Sequence, residues 1–427
     1  MTHSGDAEKP SEANARGPSP IGPGNMKLRR QRDNQQWILD YLIKATGRDR
    51  HFFYDGRKFP AGTRSYAMIP RQMARAAEHK HKLARSAEDR GHRESALRLY
   101  HRAALDYLTG VQAMPFDDDT ERLYLHDQLV ACFDRIIELS PHKIERFEVP
   151  WEGRSLPGVF HHSGRPGAPT ILHINGSDST KELFPDTLDN AYTQRGFNVA
   201  VVDGPGQGEA TNRKIRITPT NFGPAMSAAV DYLLTRPDVS ADTLCCSGFS
   251  MGAFFSMKVV AQEPRFKALV TGSASYGSPY ATWNQESPHF KRQFMFNTGI
   301  ADEEEFDRIA EKFVLTAEEL ANIRCPVLML HGEFDPMTPL EDAFRVYQGI
   351  AGPKEFWLTE NDGHSPGSYP HFGGLRALDV MGDWLRDVLA GRLPPAEGIL
   401  KVISERGDGP YGGASQGFWL PERLQRA

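Results

Sequence analysis

The sequence predicts an α/β architecture, in which a mostly parallel sheet flanked by helices follows an N-terminal helical domain. Up to about residue 140 apolar residues recur at helical spacing, and from about residue 143 short apolar runs bounded by glycine and proline alternate with helical stretches. Such alternation builds a parallel sheet with helices on both faces, and ligands bind such sheets at the carboxyl ends of their strands. We therefore expect the functional residues in loops that follow strands.

The N-terminal part of the chain divides into a tail and a helical domain. Residues 1–26 are polar and rich in proline, glycine and serine, so we expect a disordered tail. Residues 27–142 carry amphipathic helical stripes and form a predicted helical cap domain. Three stripes support this prediction: Trp37–Leu42, Leu97–Val111 and Leu125–Ile136.

The catalytic domain is predicted at 143–390. Eight strands are expected there, at 143–149, 156–161, 170–174, 198–202, 243–246, 268–271, 327–330 and 354–358. Helices are expected at 183–195, 222–235, 251–262, 338–349 and 374–390. The segment 272–322 is longer than a plain crossover and rich in aromatic residues, so it is a candidate lid over the strand ends. The C-terminal extension, 391–427, has no regular pattern from which to place elements.

Composition and charge exclude several classes of protein. The 427 residues are 39% apolar and 25% charged, as in ordinary globular proteins, which excludes collagen-like, coiled-coil and wholly disordered chains. The formal net charge of −5 and the absence of a long Lys/Arg run exclude a nucleic-acid-binding surface. No apolar run is long enough to span a bilayer, and the N-terminal segment lacks the apolar stretch of an export signal.

The cysteines and histidines point to a cytoplasmic protein without metal or cofactor. Four cysteines in so long a chain form neither a disulfide framework nor a metal-binding pattern, which favours a reducing compartment. The histidine pairs His79/His81 and His161/His162 have no matching carboxylates or cysteines to complete a metal site. The expected partner is a small-molecule substrate, and the sequence leaves a homodimer open.

The first motif that indicates chemistry is Gly248-Phe249-Ser250-Met251-Gly252, between a predicted strand and a predicted helix. A sharp turn here needs glycines on both sides of the serine, and it raises the Ser250 hydroxyl to the edge of the sheet, where it can act as a nucleophile. The motif alone is weak, because a tight turn with an exposed serine gives the same pattern.

A nucleophilic serine needs a histidine base that a carboxylate orients. Asp335 follows the predicted strand 327–330, and His364 follows the strand 354–358, so both lie at the same sheet edge as Ser250. Glu333 and Asp362 are alternative acids. Asp335 is also a natural helix cap, since aspartate favours that position.

An attacking serine creates an oxyanion, which backbone N–H groups must stabilise. We expect one donor at Met251, directly after the nucleophile, and the other at Ser177, in the loop after the strand 170–174. This loop can also cap a helix starting near residue 183, and the two roles are compatible. The turn 203–209 lacks the Gly-Lys-Ser/Thr of a phosphate-binding loop, so we interpret it as structural.

Taken in order, these motifs resemble the α/β-hydrolase family over roughly residues 143–390. A helical domain before the core, together with the segment 176–182, is similar to a narrower group within the family. That group includes the hydrolase acting on dihydroxypseudooxynicotine and fungal hydrolases that shorten polyketide pigment precursors. The resemblance implies serine-triad cleavage of a carbon–carbon bond beside a ketone, with an auxiliary carboxylate at Asp178. That residue is equally well interpreted as a capping or solvated side chain.

The predicted function is therefore hydrolysis of an activated ketone, such as a β-diketone, an aryl ketone or a polyketide-like compound, through an acyl-enzyme. The aromatic side chains expected to line the substrate pocket are Phe254, Tyr276, Tyr280 and Trp283. The nearest alternative is an esterase, amidase or peptidase, because one triad serves every acyl bond. A binding protein that retains the fold without catalysis is a further alternative.

Overall fold

The described part of this computed structural model comprises residues 20–21, 26–27, 59–60, 62–177, 179–273, 288–335, 337–364 and 371–412. Within the segment predicted to be a disordered tail and directly after it, two short strands, β1 (Pro20–Ile21) and β2 (Met26–Lys27), pair antiparallel. In the described residues no helix is both long enough and apolar enough to cross a bilayer.

Three long helices form the cap: α1 (Ile69–Asp89), α2 (Arg93–Gln112) and α3 (Thr120–Leu139). The side chain of Asp119 accepts hydrogen bonds from two backbone N–H groups in the first turn of α3, which fixes where that helix begins. The buried stripes of the three helices form one apolar cluster that also contains Ile144 and Val159 of the sheet. The cap is thus packed onto the catalytic domain through a shared core.

The catalytic domain is built on a nine-stranded sheet in the order β11-β10-β9-β8-β7-β5-β6-β4-β3. Strands β5 to β11 run parallel to their neighbours in this group, whereas β4 pairs antiparallel with both β3 and β6. The strands are β3 (Ile144–Trp151), β4 (Arg154–His161), β5 (Thr170–Ile174), β6 (Asn198–Val202), β7 (Leu244–Phe249), β8 (Leu269–Gly272), β9 (Val327–Gly332), β10 (Lys354–Thr359) and β11 (Ile399–Ile403).

Helices cover both faces of this sheet. They are α4 (Ala191–Gln194), α5 (Gly208–Asn212), α6 (Phe222–Leu234), α7 (Met251–Gln262), α8 (Pro288–Thr298), α9 (Glu303–Ala310), α10 (Ala317–Asn322), α11 (Leu340–Gly349) and α12 (Ala377–Leu389). One face packs on α6, α7 and α11, and the other on α4 and α12. Helix α7 is buried on every side from Met251 to Val260, as expected of a helix enclosed by the core.

Two elements differ from the sequence prediction. The helix expected at 183–195 is confined to α4, because Pro185 disfavours helical backbone at the residue before it and Asn190 caps a new helix with its side chain. The sheet also continues into the C-terminal extension, where β11 pairs parallel with β10. Its alternation of partly buried apolar residues with a lysine was too short to predict a strand.

Candidate active site

Ser250 lies at the corner between β7 and α7, with φ +56° and ψ −128°. A backbone conformation of this kind persists only where the surrounding structure imposes it, and it is frequent at active sites. The flanking glycines have a steric cause: a Cβ on Gly248 would lie 2.3 Å from the carbonyl oxygen of Gly252, and one on Gly252 would lie 2.0 Å from that of Ile174. Larger residues would therefore not permit the turn.

The hydroxyl of Ser250 lies within hydrogen-bonding distance of His364, the residue predicted to be its base. Its Oγ lies 3.0 Å from Nε2 of His364, and Nδ1 of His364 lies 2.9 and 3.0 Å from the two carboxylate oxygens of Asp335. Burial by itself would raise the pKa of Asp335, but the hydrogen bond and charge of His364 hold it below its usual value. An ionised, fully buried carboxylate therefore orients the imidazole toward the serine.

The two alternative acids have other hydrogen-bonding partners. Glu333 accepts a hydrogen bond from the backbone N–H of Asn361 at 2.9 Å. Asp362 accepts one from the backbone N–H of Gly363 at 3.0 Å, and it lies 3.7 Å from His371. Asp335 is the acid whose carboxylate hydrogen-bonds the imidazole of His364. Its carboxylate also accepts hydrogen bonds from the backbone of Met337 and Thr338, but the following helix begins at Leu340 with Pro339 at its N-cap, so Asp335 is not a helix cap.

The loop after β5 lies next to Ser250. A Cβ on Gly176 would lie 3.2 Å from Cβ of Ser250 and 3.7 Å from its Oγ, so the backbone that leads to Ser177 is in contact with the serine. Met251 is the first residue of α7, where backbone N–H groups have no acceptor within the helix. Both predicted oxyanion donors thus lie next to Ser250. Asp178 lies outside the described residues.

The turn after β6 supports this loop, which sequence reasoning did not foresee. The side-chain amide of Gln207 donates to the carbonyl oxygen of Asn175 at 2.7 Å and accepts from the backbone N–H of Gly204 at 3.1 Å. Asp203 accepts from the backbone N–H of Lys181 at 3.1 Å. The turn 203–209 therefore has a structural role: it holds the loop that contains Ser177 at Asn175 on one side and at Lys181 on the other.

A buried ionic cluster, consisting of Lys181, Glu182, Asp203 and Glu209, lies under the loop. The ammonium group of Lys181 is 2.5 Å from Glu182, 3.1 Å from Asp203 and 2.8 Å from Glu209. Burial raises the pKa of Asp203 above its usual value even though Lys181 opposes the shift. The only sequence signal for this cluster was a Lys-Glu pair beside a strand end, a pattern that is also common on protein surfaces.

A cavity lies between the cap and the catalytic domain, beside the two predicted oxyanion donors. It encloses about 780 Å³, including space open to solvent. The cap helices supply Leu108, Val111, Arg122 and His126, and helix α8 of the predicted lid segment supplies Phe294 and Phe296. Ser177 and Met251 are part of the same wall. The cap and the lid segment therefore both shape the space next to the serine.

The predicted pocket aromatics have different outcomes. Phe254 is fully buried in the core, and the neighbouring Phe255 lines the cavity instead. The reason is the helical geometry of α7, which turns adjacent side chains by about 100°. Tyr276, Tyr280 and Trp283 lie outside the described residues. Within the described ranges, no group of three or more His, Cys, Asp or Glu side chains is arranged to hold a metal ion.

Comparison with known proteins shows which proteins this chain is similar to. The model of the prolyl oligopeptidase family (Peptidase S9) matches residues 187–389. The 2,6-dihydropseudooxynicotine hydrolase of Paenarthrobacter nicotinovorans is 29% identical over 261 residues, which are 61% of this chain and 69% of that protein. Alpha/beta hydrolase xenA of Xenoacremonium sinensis is 29% identical over 208 residues, which are 46% of this chain and 48% of that protein.

A solved structure extends the similarity to the cap. The crystal structure of 2,6-dihydroxy-pseudo-oxynicotine hydrolase superimposes with a TM-score of 0.67 and 26% identity, covering 85% of this chain and 97% of that one. Coverage of this extent includes the helical cap as well as the sheet, as the sequence resemblance implied. The strand order, the serine corner and these relatives agree: the chain is an enzyme with the α/β-hydrolase fold.

Proposed function

We propose that this enzyme is a serine-triad hydrolase that cleaves a carbon–carbon bond next to a ketone through an acyl-enzyme on Ser250. The observation that carries the triad is the chain of hydrogen bonds from Ser250 through His364 to Asp335. The preference for a carbon–carbon bond is supported by the similarity in sequence and cap to a hydrolase named for 2,6-dihydropseudooxynicotine.

The first step is attack on the ketone. Ser250 Oγ forms a bond to the carbonyl carbon while its proton moves to Nε2 of His364, and Asp335 stabilises the resulting imidazolium. The carbonyl oxygen becomes an oxyanion, which accepts hydrogen bonds from the backbone N–H groups of Met251 and Ser177. Removing one such donor typically costs about 10²–10³ in kcat.

The second step breaks the carbon–carbon bond. Its electron pair leaves with the departing carbon, which must therefore become an enolate or an electron-rich aryl carbanion. The imidazolium of His364 protonates this group, so the charge is neutralised. Water then attacks the acyl-enzyme, His364 takes up its proton, and Ser250 is released with a carboxylic acid as product.

The cavity would shield the reacting groups from water. An apolar wall with Leu108, Val111 and Phe296 lies beside Met251 and Ser177, on the path that a flat, partly apolar substrate would occupy. Exclusion of water from such a wall strengthens the hydrogen bonds to the oxyanion. It also slows premature protonation of the departing carbanion by solvent.

A pair of assays tests the proposed bond type. Wild-type enzyme is incubated with aryl 1,3-diketones and with p-nitrophenyl esters, and the Ser250→Ala variant is the control for each substrate. We expect both acids and ketones from the diketones, and no products with the variant. Turnover of esters alone would favour an esterase. Cleavage of peptide substrates alone would favour the activity for which the matching family model is named.

A further inference from the structure

The cavity wall contains a buried cation that the proposed mechanism does not use. Arg122 lies in the first turn of α3, is 6% exposed and lines the cavity. Transfer of an isolated charge into such a site costs several kcal/mol unless a counter-charge accompanies it. A buried arginine is therefore expected to have a counter-charge, from the protein or from a ligand.

The described residues offer Arg122 only neutral partners within contact distance. Its guanidinium donates to the side-chain oxygen of Asn212 and lies 4.8 Å from the ring centre of Phe296. The nearby carboxylate of Asp117 is bound by Arg216, which contacts both of its oxygens at 2.5 Å. Burial and the positive charge of Arg216 lower the pKa of Arg122 to about 10, while the charges of Asp117 and Asp119 oppose the shift. At neutral pH the guanidinium is therefore protonated, and no carboxylate of the described residues is in contact with it.

Other polar atoms on the same wall also lack partners. Among the described residues, the side-chain oxygens of Gln112, Thr180 and Gln293 are buried without a hydrogen bond. Buried polar atoms are almost always paired, and amide oxygens only accept hydrogen bonds, so these atoms indicate a ligand that also carries a donor such as a hydroxyl group. One turn beyond Arg122, His126 lines the cavity as well, and burial lowers its pKa below the usual value. It therefore adds a neutral hydrogen-bonding group rather than a second charge.

Phe255, Phe294 and Phe296 form an aromatic part of the wall. The carboxylate of Glu182 also lies on the wall, where it is paired with Lys181. A ligand that satisfies both parts has an aromatic or aliphatic body and an anionic oxygen at one end. Guanidinium is well suited to that end, because its planar N–H groups bind carboxylates in pairs and also bind single oxyanions strongly.

We propose that Arg122 anchors substrates that carry a carboxylate or an ionised phenolic oxygen, away from the bond that is cleaved. This inference rests on the proposed function, since it names the substrate class of the same site. It makes Arg122 a specificity-determining residue: an anionic substrate reaches Ser250 with its charged group held at the cap, and a neutral one lacks this anchor.

Binding to the Ser250→Ala variant tests this without requiring catalysis. Calorimetry compares 3-phenylpropanoate with the neutral 3-phenylpropanamide, and 2,4-dihydroxyacetophenone reports phenol ionisation through its absorbance. We expect the carboxylate or the phenolate to bind at least about tenfold more tightly than the amide, since a charge-assisted hydrogen bond contributes about 1.5–3 kcal/mol. A carboxylate-only or phenolate-only preference identifies the source of the oxyanion.

Variants of Arg122 complete the test. In the Ser250→Ala background, Arg122→Gln should abolish the preference for the anion and Arg122→Lys should restore part of it. Arg216→Lys is the matched control, because Arg216 lies 5.0 Å from the same Phe296 ring but is paired with Asp117. Equal binding of anion and amide by the parent variant overturns the inference, and this comparison does not depend on how Arg122→Gln folds.

The outcomes for Arg122 and for the bond cleaved are separable. Anion binding that depends on Arg122 supports the anchor even if the wild type cleaves no ketone, a result that would overturn only the proposed carbon–carbon hydrolysis. Ketone cleavage by an enzyme that binds anion and amide equally would overturn the anchor and leave the triad chemistry intact.

Discussion

His364 Nε2 lies 3.0 Å from Oγ of Ser250, although 114 positions separate the two residues in the chain. The parallel sheet explains this proximity, because β7 and β10 point their carboxyl ends to the same edge and β8 and β9 between them set the spacing. The end of β9 also packs backbone against backbone on the loop after β10: a Cβ on Gly332, the last residue of β9, would lie 2.0 Å from the carbonyl oxygen of Gly363. The fold itself thus holds His364 and Asp335 in register with Ser250.

Replacement of the base gives the first prediction. His364→Gln should lower kcat by about 10³-fold or more, because Ser250 loses the group that accepts its proton. Hydrolysis of an active substrate and thermal unfolding are measured together, and the unfolding temperature should stay near that of the wild type. His162→Gln, at a histidine paired with Glu145 far from the serine, is the control. Near-normal activity of His364→Gln would show that another group is the base.

Gln207 provides a test of the oxyanion loop. Gln207→Ala removes the hydrogen bond to the carbonyl oxygen of Asn175, so the loop that carries Ser177 should lose its alignment. We expect kcat to fall about 10- to 100-fold with a smaller change in KM, since misplacement by about 1 Å has effects of this size. Gln194→Ala, at an exposed position in α4, should leave kcat unchanged. An unchanged kcat in Gln207→Ala would show that Gln207 does not align the loop that carries Ser177.

The buried ionic cluster is predicted to matter for stability. Lys181→Met leaves three carboxylates without their shared cation, and loss of one partner from a buried ion pair costs about 3–5 kcal/mol. Urea denaturation measures the free energy of unfolding. Lys267→Met, at an exposed position, should change it by no more than about 0.5 kcal/mol. Equal stability of the two variants would show that Lys181 contributes little.

Glu209 carries a prediction for acid stability. Burial by itself would raise its pKa, but Lys181 and Arg213 lower it to about 2 from the usual 4.5. Because the folded state has the lower pKa, Glu209 stabilises the fold above about pH 4.5, and this contribution is lost as the pH falls toward 2.

The corresponding measurement is the free energy of unfolding between about pH 5 and pH 3. Glu209→Gln should show a shallower decline than the wild type over this range, whereas Glu405→Gln at an exposed position should not. Parallel curves for Glu209→Gln and the wild type would contradict the linkage.

The elements with a regular local pattern could be predicted from the sequence. The strand β5, the strand β6 and the helix α7 begin and end where periodicity and flanking glycines predicted. The residues of the hydrogen-bonded chain could be named because each directly follows a strand, and parallel strands bring such positions together.

Long-range contacts account for what was missed. Gln207, Lys181 and Arg122 reach their partners only when loops and cap helices are folded onto the sheet, and nothing in their immediate sequence distinguishes them from surface residues. The choice between Phe254 and Phe255 likewise depends on which side of a fully buried helix faces the cavity. Periodicity cannot supply that information where every position from 251 to 260 is buried.

Covalent labelling is the sharpest test of whether Ser250 is the nucleophile. The wild-type enzyme is treated with a fluorophosphonate probe, and peptide mass spectrometry locates the adduct. We expect one adduct, on Ser250, which is absent from Ser250→Ala and retained in Ser256→Ala, a variant at a buried serine of α7. No adduct on wild-type Ser250, or equal labelling of Ser250→Ala, would contradict it.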